Sequence, residues 1–327
     1  MSEDARLSFS QRIRYSLETA GFFVVIGFFK LFRVETASAL GAWIGRKWLA
    51  PSGMSKRAYA NLRAAYPEKS LDDIKRIVVA MWDNLGRVMA EYAHLGDIKY
   101  KDAKPRIEVV GLENLYAAQA RGKGMLMISA HFANWEVMPF AAREYGLKGA
   151  MVTRPTNNPY VSRWLGKQRS RYGMPEQIAK GAHGTRRIFS LLRKGECILM
   201  LVDQRTSEGI PAPFFGREAM TTPAPASLAI KLGAVIVPIW NERLAGARFR
   251  LHVQPMIEPP DTGNPNRDVL ALTAKINAWV EARVRERPEQ WLWIHKRWSE
   301  GGSKLRKRAQ ALVGAGDEAT SEGSSRT

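Results

Sequence analysis

From Arg106 onward the chain alternates short apolar runs with stretches of helical period, and that alternation restricts it to an α/β architecture. Arg106 to Val110, Met125 to Ser129, Gly149 to Thr153, Cys197 to Val202, Ala234 to Trp240 and Arg248 to Val253 read as strands. Between them Leu112 to Ala120, Asn134 to Tyr145, Val161 to Tyr172, Thr185 to Lys194 and Pro225 to Leu232 read as helices, and Asp268 to Arg287 follows as a longer one. Gly146, Gly195 and Gly233 stand where such helices stop. Met125 to Ser129 and Cys197 to Val202 are apolar throughout or nearly so, as buried strands are. The expected fold is a mixed central sheet flanked by helices.

Ahead of this region the sequence is helical. Lys56 to Tyr66 forms one segment, stopped by Pro67, and Ser70 with Asp72 and Asp73 supplies the cap and early acids of the next. At the N-terminus, Ala20 to Phe29 is an apolar run between basic residues. It falls short of the roughly 18–20 apolar residues a membrane span needs. A helix lying in the membrane interface is the favoured expectation, with a buried core helix and a marginal span as alternatives. Arg6, Arg12 and Arg14 ahead of the run, and Ala37-Ser38-Ala39 after it, imitate a cleavable leader. Apolar residues resume at Trp43, Ile44, Trp48 and Leu49, which argues against cleavage.

The 327 residues carry 50 Lys and Arg against 31 Asp and Glu, a net charge of +19. Such a surplus favours anionic partners, among them lipid headgroups, nucleic acid and acidic proteins, without choosing one. The charges look scattered along the chain and no nucleic-acid signature accompanies them, so nucleic acid is not expected. A single cysteine, Cys197, rules out an internal disulfide and a thiolate metal cluster, and its apolar neighbours mark it as a core thiol.

The segment with chemical content is Ser129 to Glu136, Ser-Ala-His-Phe-Ala-Asn-Trp-Glu, which leaves a buried strand and opens a helix. Carboxyl ends of strands are where open α/β sheets bind ligands. His131 and Glu136, five apart, would point about 140° from each other on a regular helix. They meet only if His131 lies in the turn and Glu136 in the first helical turn. Glu136 would then hold one imidazole nitrogen while the other takes a proton from an alcohol. The helix N-terminus would offer unpaired N–H groups to an oxyanion. A lone histidine beside a strand is more often structural, so the spacing alone does not decide between these readings. Walker loops, Gly-x-Ser-x-Gly elbows and the His-Glu-x-x-His zinc motif are absent.

The His131-Phe-Ala-Asn-Trp-Glu136 run resembles the His-x4-Asp/Glu signature of glycerolipid-type acyltransferases. Thr153 to Asn158, Val202 to Arg205, Ala212 to Gly216 with Thr221 and Thr222, and Pro288 to Trp298 are similar to segments of the lipid A late acyltransferases. Together the likeness spans about residues 15 to 300. It implies a fatty acyl thioester on acyl carrier protein as donor, a Kdo-bearing lipid A precursor as acceptor, and the cytoplasmic face of the inner membrane. It implies His131 as general base with Glu136 orienting it, and no metal or cofactor.

Arg154, at a strand end, suits an anionic headgroup, with a structural ion pair as the alternative. Asn157 is expected to share that task or build the turn. Asp203 would bind substrate, pair Arg154 or Arg205, or brace the loop, and Gln204 would donate to a sugar or carbonyl. Pro213 to Gly216 walls an acyl groove or forms a core turn. In an extended run, Trp291, Trp293, His295 and Arg297 share a face suited to a membrane interface, core packing being the even alternative. His94, His183 and His252 read as structural. The organisation expected is a membrane-associating helical segment (1–54), an acyltransferase domain (55–300) and a tail (301–327) that is basic around Lys304 to Arg308 and disordered from Gly314.

Overall fold

A computed structural model of the chain describes residues 7–99 and 105–298. The tail cluster and the acidic terminus lie outside them. Seven strands form one sheet in the order β1 (Ile107–Val110), β9 (Arg248–Val253), β8 (Val235–Ala245), β2 (Met125–Ser129), β5 (Cys197–Leu201), β3 (Gly149–Thr153), β4 (Glu176–Ala179). From β8 to β4 every pairing is parallel; β9 runs antiparallel to β8 and carries β1 parallel to itself. The expected α/β architecture, a mixed sheet flanked by helices, is therefore present, and most of its pairings are parallel. β2 is buried along its whole length, which is why it reads as an uninterrupted apolar run.

Helices cover both faces. One face packs against α3 (Lys56–Ala65), α4 (Leu71–Glu91), α8 (Ala182–Arg193), α9 (Ala224–Leu232) and α10 (Pro265–Glu286). The other packs against α5 (Leu112–Ala120), α6 (Met138–Glu144) and the end of α7 (Pro159–Tyr172). Cys197 is buried among the second set, and burial pushes its thiol up to about 12. Ser70 caps α4 through Asp73 N, as its sequence position predicts. Gly41 of α2 (Val34–Ile44) and Gly86 let α2 and α4 touch backbone to backbone; a Cβ on Gly86 would lie 2.1 Å from the Gly41 carbonyl oxygen.

Two features escape the sequence reading. β4 is a four-residue edge strand with Glu176 and Gln177 in half its length, too short and polar for an apolar pattern. β6 (Ile210–Phe214) and β7 (Arg217–Thr221) form a separate antiparallel hairpin, turning at Phe215 and Gly216 with φ of 52° and 67°. Pro211 and Pro213 are tolerated because this ribbon has no inner strand. Phe214 and Phe215 are core residues stacked around Trp291, Trp293 and Trp298, so Pro213 to Gly216 is a core turn and not a groove wall. Trp291, Trp293 and Arg297 are likewise buried, which overturns the membrane-interface expectation for that run.

α1 (Phe9–Lys30) packs on α7 through Phe22 and Trp164. Asn158 clasps it by donating to the Tyr15 carbonyl, and Lys30 pairs with Asp97. Its outer side leaves Phe9, Ile13, Leu17, Val24, Phe28 and Leu31 exposed, a continuous apolar stripe at helical spacing. Among the described residues no helix is long and apolar enough to cross a membrane.

A buried polar network holds α4 against β8. Both oxygens of fully buried Glu91 accept from Arg243, at 2.5 and 2.9 Å, and Arg243 Nε donates to Asn84. Asn134 donates to Glu91, and Asn84 donates to the Ala133 carbonyl, so the network also grips the turn after β2. Arg243→Leu should lower unfolding stability by about 3–5 kcal/mol, the cost of leaving a buried carboxylate uncompensated; chemical denaturation measures it.

Candidate active site

Three adjacent strands, β2, β5 and β3, end at one edge of the sheet and deliver His131, Asp203 and Arg154 to it. β2 and β5 are paired from Met125 with Cys197 to Ser129 with Leu201. The registry continues one step, where Val202 N donates to the Ser129 carbonyl. Two residues past each strand, His131 and Asp203 therefore come level. His131 Nδ1 lies 2.8 Å from Asp203 Oδ1, and the His131 backbone N–H donates to Oδ2 at 3.0 Å. Trp291 Nε1 donates to Oδ2 as well, at 2.8 Å.

A carboxylate only accepts, so His131 carries its proton on Nδ1 and presents a lone pair at Nε2. Gln204 Nε2 lies 3.3 Å from that nitrogen and 3.1 Å from His295 Nε2. The Trp135 ring meets the imidazole edge-on with centroids 5.1 Å apart. Burial pushes the Asp203 carboxyl upward. Attraction to the His131 ring and the three hydrogen bonds outweigh it and hold the group well below its ordinary value. Burial, then the neighbouring His131, depress His295.

Glu136 does not hold His131. Its carboxylate is buried and receives Arg169 through two nitrogens, Nε at 2.8 Å and Nη2 at 2.5 Å, with Tyr92 Oη donating at 2.9 Å. Burial raises this carboxyl too, and Arg169 more than reverses the effect. The chain enters a short 3₁₀ turn at Trp135–Val137 after Ala133 adopts φ 44°, and Asn134 caps Glu136 N. This turn sends Glu136 toward α7. The oxyanion expectation changes with it: the backbone N–H groups of His131, Phe132, Ala133, Glu136 and Val137 all donate within the protein.

His131 and Glu136 nonetheless line one cavity of about 310 Å³. Met138, Met151, Leu199 and Leu201 give it apolar wall; Arg154, Arg169 and Lys180 give it positive charge; Gln204 and His295 complete it beside the imidazole. Arg154 and Gln204 thus line the same cavity as His131. Asp203 is 4% exposed and saturated by its donors, so it braces the histidine and does not face substrate. Asn157 is exposed in the turn after β3 and is not among the cavity's lining residues, while Asn158 caps α7. Arg169, Tyr92, Lys180 and Trp135 belong to the site without having been singled out. The pairing with Asp203 had a signal: two equal apolar strands, each followed after one residue by His131 or Asp203.

An imidazole with a fixed tautomer at the mouth of a partly apolar, cationic cavity fits proton removal from an alcohol beside a bound hydrocarbon chain. Residues 7–300 match the family described as bacterial lipid A biosynthesis acyltransferase, and the chain belongs to that family. It is an acyltransferase by that membership. It is 29% identical over 272 residues to the lipid A biosynthesis lauroyltransferase of Escherichia coli K12, covering 79% of this chain and 84% of the relative. It is 28% identical over 251 residues to the palmitoleoyltransferase of the same organism, covering 74% and 77%. A phosphatidylinositol mannoside acyltransferase of Mycolicibacterium smegmatis is 21% identical over 262 residues, covering 78% and 83%.

Two substitutions separate the carboxylates. Asp203→Asn should lower kcat by about 10³–10⁴, as loss of the orienting carboxylate does in a comparable dyad, whereas Glu136→Gln should act chiefly on stability by stranding Arg169. Steady-state kinetics beside thermal unfolding distinguishes them. Because Asp203 and Glu136 are both depressed in the fold, the stability they contribute is complete above the unfolded carboxyl range, about pH 4. It is lost as pH falls through the folded values. Unfolding stability measured from pH 6 downward should drop below about pH 4, and less steeply in Asp203→Asn.

Proposed function

We propose that this acyltransferase moves a fatty acyl chain from an acyl carrier protein thioester to a hydroxyl of a Kdo-bearing lipid A precursor, with His131 as general base. The observation that carries the reading is the His131–Asp203 contact, which leaves Nε2 basic and facing the cavity. The acceptor hydroxyl displaces Gln204 from Nε2 and gives up its proton there. The resulting alkoxide attacks the thioester carbonyl; the tetrahedral oxyanion collapses, expelling the thiolate, which takes the proton back from the imidazolium. Asp203 stabilises that imidazolium, and it does so strongly because it is buried.

With five of the turn's backbone N–H groups already engaged, oxyanion stabilisation falls chiefly to side chains that line the cavity, Gln204 and Lys180 foremost. Arg154 binds the anionic headgroup, where a planar guanidinium matches phosphate or carboxylate. The apolar stripe of α1 supports attachment to a membrane surface, and a lipid acceptor of this kind places the enzyme at the cytoplasmic face of the inner membrane. Similarity to a phosphatidylinositol mannoside acyltransferase supports a second reading, the same mechanism on another glycolipid.

Mass spectrometry of products formed from acyl carrier protein thioester, with a Kdo-bearing lipid A precursor and a lysophospholipid offered together, decides the acceptor. The precursor should gain one acyl group. His131→Ala should reduce kcat by about 10²–10⁴ with lipid binding retained. Near-normal turnover by this variant would remove His131 from the mechanism.

A further inference from the structure

The positive charge is unevenly distributed. From Pro159 to Lys194 the chain carries nine Lys or Arg and one acid, Glu176, a net of 8 among the 19 excess charges. Sheet order divides this segment. β3 to β4 steps outward and β4 to β5 steps back past β3, so right-handed crossovers place α7 and α8 on opposite faces. The packing agrees: α7 meets α6 and α1, and α8 meets α9. The exposed apolar stripe belongs to α1, on the α7 side.

The exposed side of α8 bears Arg186 and Arg193, with Lys194 just past its end, around half-buried Phe189, and these line a shallow groove with Thr185 and Ser190. None of the three cations forms an ion pair with a described residue, while Arg187 on the same helix is bound to Glu176. Lys180, two residues ahead of α8, lines the catalytic cavity. Phe189 is only about 10 Å along the axis from the start of the helix, at 1.5 Å per residue.

We propose that this basic groove on α8 is the docking surface for the acidic carrier protein that brings the acyl thioester, an inference that rests on the carrier-protein donor read above. An acidic helix with one apolar side chain complements the groove: carboxylates meet Arg186, Arg193 and Lys194, and the apolar residue meets Phe189. From that position the carrier's prosthetic arm passes the start of α8 and enters beside Lys180. The membrane and the carrier approach from opposite faces of the sheet, so donor exchange proceeds without detachment of α1. An anionic bilayer is the competing occupant.

The full-length Arg186→Glu/Arg193→Glu variant tests this with two donors, the acyl carrier protein thioester and the same acyl chain on free pantetheine. The expected result is a loss of about tenfold or more in kcat/KM for the carrier-borne donor, with the pantetheine donor unchanged within about twofold. Arg186→Lys/Arg193→Lys should keep most of the carrier-borne activity. Unchanged use of the carrier donor, or equal loss with both donors, overturns the surface. Loss of sedimentation with anionic vesicles at unchanged carrier kinetics assigns the groove to the membrane instead. Failure of the wild-type enzyme to consume the carrier thioester overturns the donor reading and the surface together; consumption by wild type and variant alike overturns the surface only.

Discussion

Parallel registry between β2 and β5 is the constraint from which the site follows. Once Ser129 and Leu201 are paired, residues 72 apart in sequence arrive at the same height, and the only freedom left to His131 and Asp203 is rotamer choice. Both Asp203 oxygens are then consumed by local donors, two from His131 itself and one from Trp291. Trp291 arrives by a backbone bridge to Phe132, so the C-terminal aromatic run is what seals the carboxylate away from water. Sealing matters chemically. A carboxylate in low dielectric strengthens its interaction with an imidazolium that forms beside it, which is the stage at which a general base needs help.

Two buried carboxylates border one cavity, yet their partners give them different work. Asp203 faces an imidazole, whose charge can change, and in the proposed mechanism it stabilises the imidazolium that forms there. Glu136 faces Arg169, whose charge is permanent, and burial makes that pair a fixed brace between the turn after β2 and α7. Tyr92 adds α4 to the brace through its hydroxyl. The Glu91–Arg243 network performs the same service from the other side by way of Asn134. The turn carrying His131 is thus held between two buried ion pairs, which is how a segment without regular structure keeps the imidazole in place.

The sequence made the sheet and most helices legible because their signals are local: β2, β3, β9 and α5 begin and end where apolar runs and glycines place them. It made His131 legible for the same reason. The partner of His131 was not, because proximity in sequence favoured Glu136 while the contact that forms depends on strand order, which no local pattern encodes. β4 lacked an apolar repeat, and the prolines of β6 argue against a strand in any sheet with an interior. The tryptophans of Trp291 to Trp298 suit an interface or a core equally well; their burial is decided by Phe214 and Phe215, contributed by a hairpin that itself was unreadable.

Topology also governs how a lipid enzyme meets its two kinds of partner. A sheet has two faces, and a strand order that steps out and back assigns consecutive helices to different ones. Here the step at β4 separates α7, which carries the apolar α1, from α8, whose Arg186 and Arg193 have no ion-pair partner among the described residues. Of the 19 excess charges, 8 fall between Pro159 and Lys194, the segment that supplies both Lys180 of the cavity and the groove on α8. A groove with one aromatic ring among three cations holds mainly by electrostatics, so it suits a charged partner, and rapid exchange is the natural consequence of contacts that water and salt can screen. On the proposal that the acceptor stays in a membrane and the donor leaves after every turnover, the apolar stripe on one face and the screened, reversible contact on the other divide that labour.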